Sequence, residues 1–161
     1  MNLAKESDGQ DLIYINDSIG RKIKDHQIEG VRFMWNMLTL NPEAGSGCLL
    51  AHAMGLGKMM QVVTLLVVLA ESSRSQAPSV RSQVPPHLRE SKTLIICPVG
   101  LVENWIDELL SWAPEKVLGD IFRVTADSPA RSRAGVVGKW AARGRGTITP
   151  TAHQGLSLPP A

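Results

Sequence analysis

The run Ala53-Met-Gly-Leu-Gly-Lys58 brings together the residue types that hold phosphate. Glycines let a backbone turn sharply enough for several N–H groups to face one anion. A lysine at the end of such a loop places its ammonium on the outer phosphates of a nucleoside triphosphate. A helix starting there adds its positive N-terminal end to the same site. Ala53, Met54, Gly55, Leu56, Gly57 and Lys58 are therefore the candidate nucleotide-binding residues, with Met59 directly behind them. Two positions depart from the general phosphate-loop pattern. His52 stands in the place of the first glycine. Met59 stands in the place of the Ser or Thr whose hydroxyl holds Mg²⁺, and a thioether is a poor ligand for a hard cation. Weakened Mg²⁺-nucleotide binding is expected. The competing reading is a glycine turn that only feeds a core helix. Gly138-Lys139 is a decoy, since no apolar strand precedes it.

The elements around the loop are those such a site needs. Cys48–Ala51 reads as a short buried strand before it. Met59–Glu71 is apolar nearly all round and reads as a helix packed inside a layered fold. Upstream, Ile28, Val31, Met34, Trp35 and Leu38 recur at spacings of three and four, which predicts a helix. Asp25 is its expected N-cap and Asn41-Pro42 its stop. Ser72–Ser91 is rich in Ser, Pro, Gln and Arg, without periodicity, and reads as a long flexible loop. Thr93–Cys97 is a second expected strand. Pro98-Val-Gly100 turns the chain into a helix through Leu101, Trp105, Leu109 and Trp112, with both tryptophans expected in the core. Ile121–Thr125 is a third expected strand. Strands alternating with helices imply an α/β fold with a parallel sheet. Val136, Val137, Trp140 and Ala141 fit one face of a short helix, and Arg143–Ala161 reads as unstructured.

Composition narrows the remaining classes. The 161 residues suit one domain, and 43% apolar with 20% charged residues is an ordinary globular mix. The net charge is +2, but Ile121 onward carries six Lys/Arg against one acid, Asp127. Such a tail attracts phosphate backbones or is simply solvated. Cys48 and Cys97 each sit in an apolar run and read as buried free thiols in a reducing compartment. Neither they nor His26, His52, His87 and His153 show metal-ligand spacing. The polar, acidic N-terminus does not fit a signal peptide, and the apolar run Val62–Ala70 is too short to cross a bilayer.

Three stretches then acquire a common meaning. Leu50-Ala-His-Ala-Met-Gly-Leu-Gly-Lys58 resembles the first motif of Swi/Snf-type helicase-like ATPases, and His52 fits the ATRX-like branch. Lys24-Asp-His-Gln-Ile-Glu-Gly-Val-Arg-Phe-Met-Trp35 is similar to the adenine-reading segment of that family. Leu94-Ile-Ile-Cys-Pro-Val-Gly-Leu-Val-Glu-Asn-Trp105 resembles its motif Ia. The resemblance implies that Gln27 reads adenine, using an amide that donates and accepts at once. It implies the first part of a RecA-like lobe, a three-layer α/β/α arrangement truncated here. Residues 1–20 would be a polar leader, 21–142 the partial ATP-binding lobe with the 72–91 loop, and 143–161 a disordered tail. ATP with Mg²⁺, double-stranded DNA or chromatin, and a nuclear location are what the family implies. The family's Asp-Glu box is not found in the sequence. Asp107-Glu108 sits within an amphipathic helix and reads as a solvated face. No residue is therefore assigned as catalytic or as a metal ligand. The expected product is an ATP-binding fragment with little or no turnover. The alternatives are a non-catalytic DNA- or partner-binding module and an unrelated phosphate-loop enzyme.

Overall fold

The computed structural model describes residues 11–40, 47–90, 92–124, 129–142 and 146–150. The chain divides into two compact units, Met1–Ser91 with Glu108–Leu118, and Lys92–Asp107 with Gly119–Ala161. It is rich in helix, and its few strands are short.

The first unit is built on two long helices. Helix α2 spans Asp25–Thr39 and α3 spans Lys58–Arg74, after a single-turn α1 at Asp17–Gly20. The predicted periodicity of α2 matches its packing. Val31, Met34 and Trp35 are buried against Leu65, Val68 and Leu69 of α3, with Leu38 partly buried beside them. The N-cap is Lys24, one residue before the expected Asp25. Gln27 accounts for the shift, because its Oε1 accepts from the Lys24 N–H at 3.0 Å. Asp25 instead lies in the first turn, where its charge suits the helix dipole. Helix α3 is buried on nearly every side, as its apolar sequence requires, and runs past Glu71 because Ser72 and Ser73 are also buried.

Several expectations fail in this unit. Cys48–Ala51 forms no strand, and Leu49 is 82% exposed. An extended segment needs a ladder partner, and none of the described strands pairs with it. Cys48 is accordingly exposed rather than buried. The stretch after Arg74 is no structureless loop. It forms α4 at Pro78–Arg81 and α5 at Pro86–Arg89, each opened by a proline whose fixed φ suits a first helical position. Val84, with no exposed surface, anchors them to the core. Gln83 Nε2 donates to the Asp11 carbonyl at 2.9 Å, tying them to the chain's start. The leader also docks from Ile13 on. Ile13 and Ile19 are buried, and Asn16 Nδ2 donates to Glu71 Oε1 at 2.7 Å.

The second unit holds a small parallel sheet. Strand β1 is Thr93–Leu94, β2 is Asp120–Val124 and β3 is Gly146–Pro150, in the order β1-β3-β2. The expected strand over Thr93–Cys97 is thus cut short. Ile95 and Cys97 are buried while Leu94 and Ile96 are exposed, so only one face is covered. Strand β2 matches the third expected strand, with Thr125 outside the described residues. Strand β3 lies in the segment read as unstructured. The β-branched Thr147, Ile148 and Thr149 suit a pleated ladder, and they pair in register with Ile121, Phe122 and Arg123. The rest of that segment lies outside the described residues. Helix α7, Ala130–Ala142, joins β2 to β3, the crossover that parallel neighbours need. Its Val136, Val137 and Trp140 are half-buried, but Ala141 is exposed.

Helix α6, Val102–Trp112, follows a single 3-10 turn at Val99–Leu101. Val102 and Leu109 are its buried positions. Trp105 and Trp112 are only half-buried, so neither is the core residue expected. The ammonium of Lys22 stands 5.7 Å from the Trp112 ring centroid, within cation–π range. Among the described residues no helix is long and apolar enough to cross a membrane.

The candidate phosphate loop

All eight residues singled out in the sequence lie in the first unit, Gln27 on α2 and the other seven where the chain turns from residue 52 into α3. Gly55 and Gly57 take positive φ of 82° and 71°, values that L side chains rarely adopt. Gly57 is also the N-cap of α3. A Cβ there would fall 2.6 Å from Gln27 Nε2, so glycine is required at this position on two counts. Ala53, Met54, Gly55 and Leu56 are exposed, while Gly57, Lys58 and Met59 are half-buried.

The loop is tied at both ends. Lys58 Nζ donates to the carbonyls of His52 at 2.8 Å and Ala53 at 2.9 Å. The ammonium therefore lies across the loop's entry, on the chain opposite its own helix. At the other end the Gln61 N–H donates to the Gly57 carbonyl at 3.1 Å, closing the first turn of α3. The amides before it have no partner within the helix by helical geometry. No acid stands in that first turn to occupy them. An anion is thus offered N–H donors, the helix dipole and one ammonium.

Gln27 lies beneath the loop, not at its surface. It is buried, and its Nε2 donates to the Leu56 carbonyl at 3.3 Å. Its Oε1 is already used at the start of α2. The structure thus brings Gln27 to Leu56 and Gly57, and Lys58 to His52 and Ala53. Met59 contributes no oxygen. The hydroxyl nearest in sequence, that of Thr64, is buried and donates to Met60, to its carbonyl at 2.9 Å and its sulfur at 3.3 Å. The donor set therefore suits a phosphate group but does not fit Mg²⁺ at the usual hydroxyl position.

Two residues beneath the loop escaped the sequence reading. Gln61 is fully buried, and its Nε2 donates to the same Leu56 carbonyl at 3.0 Å. Gly30 is buried beside it. A glutamine inside an otherwise apolar helix was the available signal, and it was masked by the run around it.

Comparison with known proteins fits this geometry. The chain is 39% identical over 106 residues to a transcriptional regulator ATRX homolog of Drosophila melanogaster, which covers 63% of this chain and 7% of the relative. It is 29% identical over 150 residues to the protein CHROMATIN REMODELING 20 of Arabidopsis thaliana, covering 89% of this chain and 9% of the relative. It is 34% identical over 102 residues to the DNA repair protein rhp54 of Schizosaccharomyces pombe, covering 62% and 11%. The chain thus spans only a small part of the length of these relatives. Residues 26–140, from the start of α2 nearly to the end of α7, match the SNF2-related domain, and the chain belongs to that family.

Proposed function

We propose that the Ala53–Lys58 loop binds the phosphates of ATP, and that the chain is the front part of a Swi/Snf-type DNA-translocating ATPase lobe. The observation that carries this reading is the Lys58 ammonium held at the mouth of a two-glycine turn that opens a 17-residue helix. Family membership supports ATP as the nucleotide and a RecA-like three-layer plan for the whole lobe. Gln27 as the reader of adenine belongs to this reading by family resemblance alone, since its Oε1 and Nε2 bond here to the Lys24 N–H and the Leu56 carbonyl. Relatives named for chromatin remodelling and DNA repair support duplex DNA or chromatin as the proposed partner, and a nuclear location is proposed with it by family resemblance.

Binding, rather than turnover, is the function assigned to this chain. Asp107 and Glu108 lie within α6, not at a strand end. No hydrolytic step is assigned to its residues. A non-catalytic module with a degenerate nucleotide site is the second reading, and Met59 is the observation that favours it.

Titration with a fluorescent ATP analogue tests both. The chain is expected to bind it, and Lys58→Ala to weaken binding at least about tenfold, a loss of roughly 1.4 kcal/mol. Met59→Thr is expected to bind more tightly when Mg²⁺ is added, by about the same factor, while the native chain gains little. Equal Mg²⁺ dependence in the two proteins defeats the Met59 argument. Turnover stimulated by duplex DNA defeats the second reading.

A further inference from the structure

Two amide side chains meet at one backbone carbonyl. Gln27 and Gln61 both donate to Leu56 O, at 3.3 Å and 3.0 Å. A carbonyl only accepts, so the atoms facing it are amide nitrogens, and Gln61 Oε1 must point elsewhere. That oxygen is buried without a partner. Leaving it so costs about 1–3 kcal/mol. If packing were the only demand, a Leu or Met would fill the position at less expense.

The surroundings are shaped to admit this amide. A methyl group on Gly30 would lie 2.0 Å from Gln61 Oε1 and 3.2 Å from His52 Cε1. Glycine at position 30 thus keeps open the space shared by the two side chains. His52 Nδ1, bonded to that same carbon, is a second buried polar atom with no partner. A buried amide oxygen and a buried ring nitrogen thus both lie near one glycine, and they are not hydrogen-bonded to each other.

The held carbonyl has a geometric consequence. In a trans peptide the C=O and the N–H that follows it point in opposite directions, and the chain has no cis peptides among the described residues. Drawing Leu56 O inward, towards α2 and α3, aims the Gly57 N–H outward, to the exposed side of the loop.

We propose that Gln61 is a positioning residue of the phosphate loop. Together with Gln27 it fixes the Leu56–Gly57 peptide so that the Gly57 N–H faces an incoming phosphate. Gly30 gives its amide room. The inference rests on the phosphate-binding reading of the loop.

Two readouts on the full chain test it, with the native protein, Gln61→Met and Gln61→Glu compared. Both variants keep the side-chain length, and neither can donate to Leu56 O as the amide does. The ¹H–¹⁵N heteronuclear NOE of the Gly55, Leu56 and Gly57 amides is expected to fall in both, while the amides of Val62–Leu69 stay rigid. Affinity for the fluorescent ATP analogue is expected to fall about tenfold. Unchanged loop NOE values in both variants overturn the proposal. Loss of rigidity along all of α3 in both also overturns it, because Gln61 would then support the helix and not the loop. If the native chain fails to bind the analogue, the phosphate reading falls. The NOE comparison, which needs no nucleotide, still decides whether Gln61 holds the loop.

Discussion

The two units solve the burial of apolar sequence differently. In the first, α2 and α3 close on each other, and α3 is packed by helix side chains and by the segment around Ile13, which reaches it from far along the chain. In the second, three parallel strands depend on a crossover and on pairing between residues 93 and 147. Ile96 is 68% exposed there, although its sequence neighbourhood looks as apolar as that of α3. A helix satisfies its own backbone and needs only a packing partner. A parallel strand needs a neighbour in the ladder, a crossover to reach it and cover on its faces. The difference between the units is therefore one of what each element needs from others: packing alone for a helix, ladder and cover together for a strand.

The largest test of that contrast is a pair of truncations. Trp35 is 2% exposed between α2 and α3. Trp35→Ala is expected to destabilise the first unit by about 3–5 kcal/mol, the usual loss for a buried aromatic. Ile96→Ala removes a side chain that covers little, and its effect is expected to stay within about 0.5 kcal/mol. Urea unfolding of the two variants beside the native chain measures both. Equal losses would show that Ile96 is covered in solution and that the contrast is not real.

What was legible in the sequence follows the same division. The face of α2, the presence of α3 and the glycine turn between them were readable because each is set by residues close in sequence, although α3 runs on to Arg74, past the expected Glu71. Seven of the eight candidate site residues are a single run, and Gln27 reaches Leu56 from another helix. Gln61 was not readable as part of the site, since its role depends on Gly30 coming from elsewhere. The strand at Cys48–Ala51 was misread because apolar residues were present but no paired neighbour was. The opposite error hid β3, where Thr147–Thr149 form a strand only because β1 and β2 flank them. In the 72–90 stretch the polar composition concealed single apolar anchors. Val84 alone carries more of the packing there than the residues around it suggest.

The glycine turn gives a second, smaller test. Gly57 has φ 71°, and an added methyl would meet Gln27 Nε2. The left-handed backbone alone costs an L residue roughly 1–2 kcal/mol. Gly57→Ala is expected to lower stability by about that amount and to abolish nucleotide binding, since the same methyl displaces Gln27 from Leu56. Gly100→Ala, whose added methyl would meet nothing within 4 Å, is the matched control in the second unit. It is expected to leave nucleotide binding at the native value. A melting curve and the nucleotide titration, run on both variants, separate strain from loss of the site.

The two cysteines give the smallest and most local comparison, one in each unit. Cys48 is exposed, and Cys97 is buried on the covered face of the sheet, where burial pushes its thiol pKa up. Thiolate is the reactive form. Cys48 is therefore expected to react with iodoacetamide first at every pH, and Cys97 only slowly while the sheet is intact. The same shift sets a sign for stability. Because the folded chain holds the Cys97 proton more tightly than the unfolded chain, its contribution is complete below the ordinary thiol range, about 8.5. It is lost as pH rises through the higher folded value. Raising pH through that range should thus loosen the second unit and speed Cys97 labelling beyond the rise in thiolate alone. A Cys97→Ser variant should lose this extra pH dependence. Parallel labelling curves for the two thiols would show that Cys97 is not buried by the sheet.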